Sequence, residues 1–244
     1  MFKKSCMLLL AVITVLAVSA CGTRDKETVN AAETGTEQST TISGGWELYK
    51  NEACALPEEV QAAFDTSIKQ LTGNDLKPVA YVARQVVSGT NYMILCESET
   101  VTAVPEQSYQ MVVVYSDLQG NAEITQMNEF DLTAYVDGVG EENYAEMSAG
   151  GWEVIADNPA VVIPQEAKEA FDKAVAELDG NELEPMVLLG TQVVAGTNYA
   201  FLCHSTLQTE EAIGSIQVVT VYADLEGNAA ITNISTVNPA DFNE

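Results

Sequence analysis

Eight residues, Gln85-Val86-Val87-Ser88-Gly89-Thr90-Asn91-Tyr92, return 107 positions later as Gln192-Val193-Val194-Ala195-Gly196-Thr197-Asn198-Tyr199 with a single change. The likeness extends well beyond this segment. Gly44-Gly45-Trp46 answers Gly150-Gly151-Trp152, and Pro57, Phe64, Asp65, Gly73, Asn74, Leu76 and Pro78 recur as Pro164, Phe171, Asp172, Gly180, Asn181, Leu183 and Pro185. Leu95-Cys96, Val114-Tyr115, Asp117-Leu118 and Gly120-Asn121-Ala122 recur as Leu202-Cys203, Val221-Tyr222, Asp224-Leu225 and Gly227-Asn228-Ala229. A unit of about a hundred residues has the size of a domain, and two units are too few for a solenoid. Each unit must then own a core. The sequence predicts two tandem globular domains, residues 44–137 and 150–244, with a linker over residues 138–149 that is rich in Gly, Glu and Asn.

Within one unit, Pro57-Glu58-Glu59 reads as a helix start, because Pro suits the first helical position and acids suit the positive end of the helix dipole. Val60, Ala63, Phe64, Ile68 and Leu71 follow at helical spacing, and Gly73 marks the stop. The second unit repeats the stripe with Ala167, Ala170, Phe171, Ala174, Val175 and Leu178, ended by Gly180. Strand patterns follow at 79–87, 92–96, 110–116 and 122–127, the last two joined by a tight turn at Leu118-Gln119-Gly120-Asn121. A short strand at 46–49 precedes the helix. The expected class is α+β: each unit has one helix packed on an antiparallel sheet of about five strands, with the helix stripe buried on one sheet face.

The front end has a different character. Lys3 and Lys4 precede an apolar run at residues 7–18, too short to span a bilayer comfortably, and the run ends in Val18-Ser19-Ala20-Cys21. This pattern resembles a bacterial lipobox, which implies that residues 1–20 are a cleaved signal and that Cys21 receives a lipid. Residues 21–43 are Thr-, Glu-, Ser-, Ala- and Gly-rich and hold too little apolar surface to fold, so they read as a flexible tether. The expected location is the bacterial cell envelope, lipid-anchored on the extracytoplasmic side of the membrane.

The repeated Gln-Val-Val-x-Gly segment resembles the first hairpin of the cystatins, protein inhibitors of papain-like cysteine proteases, and Thr191 to Tyr199 is similar to the stefin version. The element order derived above is also that of a cystatin fold. The resemblance implies a wedge of three parts in each unit. Gly44-Gly45 and Gly150-Gly151 stand where a stefin has its N-terminal trunk. Gln85, Val86, Val87, Ser88 and Gly89, and Gln192, Val193, Val194, Ala195 and Gly196, stand at the first hairpin. Leu118, Gln119 and Gly120, and Leu225, Glu226 and Gly227, stand at the second hairpin, without the Pro that stefins carry there. The resemblance implies occlusion of a protease cleft by a stiff surface, with no catalytic residues and no cofactor. Gly89 and Gly196 are expected to turn the hairpin at positive φ, and the paired valines are stiff at χ1. Gln85 and Gln192 offer an amide to the hairpin or to the partner. The altered second hairpin, with acidic Glu226, ranks the first unit as the tighter binder. The implied partner is a papain-like protease, host or bacterial. A surface binding or adhesion module is the competing reading.

Other function classes find little in the chain. His204 is the one histidine, and it follows Cys203; neighbouring strand residues point to opposite faces, so the two cannot act as a dyad in place. No CxxC, HExxH, P-loop or GxSxG motif occurs. Cys96 and Cys203 hold equivalent strand positions and read as small buried hydrophobes; a Cys54–Cys96 bridge stays open, and no zinc spacing is present. Formal net charge is −26, and loss of Lys3 and Lys4 with the signal takes it to about −28. No basic patch exists to displace counterions from nucleic acid, and membrane contact is expected only through the lipid. The expected state is a monomer, with no metal.

Overall fold

A computed structural model describes residues 45–49, 56–136, 151–155, 162–176, 178–209 and 213–242. The signal (1–20), the tether with Cys21 (21–43), Gly44, Cys54, the linker (138–149) and Gly150 lie outside the described residues.

Each repeat forms its elements in the predicted order. Strand β1 (Trp46–Leu48) is followed by helix α1 (Glu58–Ser67), then β2 (Asn74–Val86), β3 (Thr90–Thr100), β4 (Gln107–Ser116), β5 (Ala122–Glu129) and a short helical turn α2 (Thr133–Val136). The second repeat gives β6 (Glu153–Val154), α3 (Gln165–Val175), β7 (Asn181–Val194), β8 (Gly196–Leu207), β9 (Ile213–Ala223), β10 (Ala229–Val237) and a 3-10 turn at Pro239–Phe242. The class is α+β: two five-stranded sheets with strands in chain order, every neighbouring pair antiparallel.

Several strands run longer than expected, β3 and β4 among them, and two boundary differences have a visible cause. Helix α1 stops at Ser67 and tightens into a 3-10 turn at Ile68–Gln70, so Gly73 (φ +95°) is not its cap. Gly73 instead turns the chain into β2, where its carbonyl accepts from Val101 N–H at 2.8 Å. Strand β2 starts five residues before the expected Val79 and runs through Pro78. Proline is tolerated because β1 pairs only with residues 83–85, leaving β2 an edge at Pro78, and because the register shifts there between Pro78 and Ala80. Strand β7 shifts at the matching place, between Pro185 and Val187.

Apolar side chains gather in three clusters. Val60, Ala63 and Phe64 of α1 pack on Tyr81, Ile94, Cys96, Val112 and Val114. Ala167, Ala170 and Phe171 of α3 pack likewise on Leu188, Phe201, Cys203, Val219 and Val221. The third cluster joins the repeats: Val82, Met93, Leu95, Met111 and Val113 of the first sheet lie in one buried group with Val187, Leu189, Leu202, Ile216 and Val218 of the second. The layers therefore run helix, sheet, sheet, helix. The expectation that each unit owns its core holds for the helix-side faces; the opposite faces share one. The cause is visible along β3 and β4. Tyr92, Ile94 and Cys96 face the helix, while Met93 and Leu95 face the other way and are equally buried. A sheet covered on one side alternates apolar with polar residues; these strands are apolar on both sides and need two covers.

Polar contacts lock the pairing. Tyr109 Oη lies 3.0 Å from the carbonyl oxygens of both Ile155 and Leu189, to which it donates. The carbonyl of Tyr135 in α2 accepts from Asn233 Nδ2 (2.6 Å) and Ser235 Oγ (2.8 Å) of β10. Asn128 Nδ2 of β5 donates to the Phe242 carbonyl (3.3 Å), so each repeat's C-terminal turn is held by the other's outer strand.

Candidate binding edges

Register brings together, in each repeat, the described residues of the three segments that the resemblance singled out. Trp46 pairs with Gln85, which sets Gly45 beside the tip of the β2–β3 hairpin. Thr90 pairs with Ser116, which sets that tip, residues 87–89, beside the β4–β5 turn at residues 117–121. Gly45, Gln85 to Gly89, and Leu118 to Gly120 thus form a row along one end of the first sheet. In the second sheet Glu153 pairs with Thr191 and Thr197 with Ala223, so Gly151, Gln192 to Gly196, and Leu225 to Gly227 form the same row.

Both rows present apolar side chains to solvent. Val86 and Val87 are exposed, as are Val193 and Val194, and Leu118 and Leu225 are 84% and 88% exposed. Ser88 and Gln119 add no charge, whereas the second row carries exposed Glu226. In a chain of net charge −26, an uncharged apolar edge is a local exception.

The side-chain chemistry shared by the two copies of the octapeptide is spent inside the hairpin. Asn91 Nδ2 donates to Gln85 Oε1 at 2.7 Å, and Asn198 Nδ2 to Gln192 Oε1 at the same distance. Val87 N–H donates to the Gly89 carbonyl (3.0 Å). Gly89 does not have the expected positive φ; its requirement is space, since a Cβ would sit 2.3 Å from the Ser116 carbonyl and 2.8 Å from the Tyr115 ring. Gly196 has both constraints, φ +140° and a Cβ position 2.2 Å from the Ala223 carbonyl. Gly151 has neither: nothing lies within 4 Å of its Cβ position.

Two supports were not assigned from the sequence, although each recurs in both repeats. Tyr115 Oη donates to the Ser88 carbonyl (3.3 Å), and Tyr222 Oη to the Ala195 carbonyl (2.7 Å), bracing each tip from behind. The Asp117 carboxylate accepts from the Gln119 and Asn121 N–H groups (2.8 and 2.9 Å) and from Asn121 Nδ2 (2.8 Å). Asp224 does the same with Glu226 and Asn228. The Asn121 side chain and these amides hold the Asp117 carboxyl below the usual carboxylate range, and Asn228 does so for Asp224. Gly120 and Gly227 supply the positive φ of the turns, +83° and +85°. Lys173 of α3 donates to the Gly227 carbonyl (3.0 Å).

The residues weighed for other chemistry lie elsewhere. Cys96 and Cys203 are free and fully buried, each in its own helix-side cluster, and burial pushes both thiols up. His204 faces the other way, packed over Gly214 beside Leu48, with Nδ1 3.4 Å from Thr206 Oγ1 and 3.9 Å from Glu184 Oε2. Among the described residues, no three His, Cys, Asp or Glu side chains are grouped to hold a metal, and no helix is long and apolar enough to cross a membrane. No protein-family model matches the chain, and no curated protein matches it.

Proposed function

We propose that this protein is a reversible inhibitor of papain-like cysteine proteases, built from two cystatin-like repeats and held by a lipid on Cys21 at the outer side of a bacterial membrane. The row of trunk, first hairpin and second hairpin along one edge carries this reading. Its parts are about 30 to 40 residues apart in sequence, yet register sets them side by side with their apolar tips outward. Such an edge fits a narrow cleft. The Gln–Asn pair, the tyrosine brace and the Asp-capped turn fix its shape beforehand, which keeps the ordering cost of docking low. The tip backbone is tied into a tight hairpin and does not lie extended across a catalytic centre, so occlusion needs no cleavage.

One observation favours the second reading, a binding or adhesion module. Gln85, Asn91 and Gly89 each serve the hairpin itself, so their recurrence does not require a protease. The test is a titration of papain with the 23–244 chain, following peptide hydrolysis. Inhibition at or below micromolar concentration is expected, and its absence favours the module. The exposed tips allow a clean control: Val87→Asp with Leu118→Asp, and Val194→Asp with Leu225→Asp, alter the edges and leave the cores alone. Each pair is expected to weaken its own edge at least tenfold, about 1.4 kcal/mol. Anchoring has its own readout, since Cys21→Ala should move the chain from the membrane fraction to the soluble fraction.

A further inference from the structure

The packing of the two sheets bears on how many partners the chain can hold. Leu48 of β1, close to the first edge, packs beside Gly214. Gly214 lies at the end of β9 remote from the second edge, because β9 reaches its hairpin only after Ala223. Nine residues of strand, roughly 30 Å at 3.3 Å per residue, separate that contact from the Leu225 turn. The reverse contact matches. Val154 of β6, close to the second edge, lies with Gln107 and Ser108 at the start of β4, remote from the first edge. Each edge therefore neighbours the blunt end of the other repeat and not the other edge. The shared buried core and the cross-repeat bonds of Tyr109, Tyr135 and Phe242 fix this arrangement. Both tips remain exposed within it.

From this placement we infer that one chain engages two protease molecules at once, one on each edge; the inference rests on the inhibitor reading above. The edges are not equivalent. Beside the first, Arg84 forms an ion pair with Glu47 at 2.8 Å. At the corresponding place of the second, exposed Glu153 faces Thr191, and Glu226 stands at the turn. The second edge thus presents more negative charge and suits a more basic cleft rim, with binding that weakens faster as salt rises.

Native mass spectrometry and light scattering of the 23–244 chain, which holds every described residue, with papain carboxymethylated at its active thiol, test this. Two papain molecules per chain are expected at saturation. At the lowest papain concentration that saturates the unaltered chain, the Val87→Asp/Leu118→Asp variant and the Val194→Asp/Leu225→Asp variant should each hold one papain with the altered site largely empty, and the four-fold variant should leave both sites largely empty. Saturation of the unaltered chain at one papain overturns the two-site inference and leaves the inhibitor reading standing. Two papains on either paired variant overturn the edge assignment, and with it the inference. No complex with the unaltered chain overturns the inhibitor reading and the inference together.

Discussion

Gly89 and Gly196 hold matching places in the repeat under different constraints. For Gly89 the obstacle is the neighbouring turn, whose Ser116 carbonyl occupies the space a Cβ would need. For Gly196 a backbone angle of +140° is added. Gly89→Ala should therefore cost about 1–3 kcal/mol through overpacking, and Gly196→Ala more, by about another 1 kcal/mol of backbone strain. Gly151→Ala, in open space, should stay within about 0.5 kcal/mol of the parent. Urea midpoints at constant slope check all three. The motif was legible as a hairpin, and the glycines as essential to it. What the string of letters could not carry was the identity of the atom that excludes the Cβ, because Ser116 lies 27 positions away and meets Gly89 only through the β3–β4 register. The buried thiols and phenols make a second residue-scale prediction. Burial raises Cys96 and Cys203 above the ordinary 9.0, and raises Tyr81 and Tyr109 above the ordinary 10.0. A raised folded-state pKa contributes stability that is complete below the unfolded value and is lost as pH rises. Stability should be level up to about pH 9 and then fall, by as much as ~1.4 kcal/mol per pH unit for each group that titrates only on unfolding. Denaturant melts between pH 7 and 11 measure this, and a flat profile to pH 11 contradicts it.

The second hairpin turn shows how an element can be specified by one side chain. Asp117 receives three hydrogen bonds from Gln119 and Asn121, so Asp-Leu-x-Gly-Asn encodes the turn without a proline. The depressed carboxyl pKa of Asp117 fixes the sign of its pH dependence. Its ordering effect is present above the usual value near 4 and is lost as pH falls through the lowered one. Amide exchange at Gln119 and Asn121 should be slow at neutral pH, after correction for intrinsic rates, and should lose protection in strong acid. Asp117→Ala should lose it at every pH, and NMR exchange rates on the two amides would show either pattern. Elements of this kind read well from sequence because their information is local: the Pro before each helix with an acid in its first turn, the Asp-capped turns and the alternation along β5 all appear within a few residues. Boundaries read less well where a distant strand decides them. Strand β2 passes through Pro78 because β1 stops short of it, and nothing near Pro78 announces where β1 stops.

At the scale of the molecule, the two repeats are halves of one body in the described residues, and the reason lies in the inner sheet faces. Val82, Met93, Leu95, Met111 and Val113 were readable as apolar in alternation with the helix-facing residues, yet a single helix per repeat covers only one face. Counting faces against covers would have found the shortfall; the register of covering could not be counted, since Tyr109 finds its acceptors 46 and 80 residues along the chain. Tyr109 has Ile216 as its repeat counterpart, so this bond is made once and not twice. Tyr109→Phe should cost about 1 kcal/mol, the worth of one buried hydrogen bond whose Leu189 acceptor keeps its bond from Ile155 N–H. A larger consequence concerns the separated halves. The chain 44–137 alone exposes a contiguous apolar face on its sheet, a kind of surface that soluble monomers rarely leave open. It should self-associate, through its own face or by exposing edges, and mixing it with the chain 150–244 should give a one-to-one complex. Size-exclusion chromatography with light scattering reads both results. A first half that stays monomeric and melts cooperatively by itself would show that the shared core is not needed for folding. The helix-side cluster around Phe64 would then be sufficient, and the fixed placement of the two edges, on which two-partner binding depends, would lose its support.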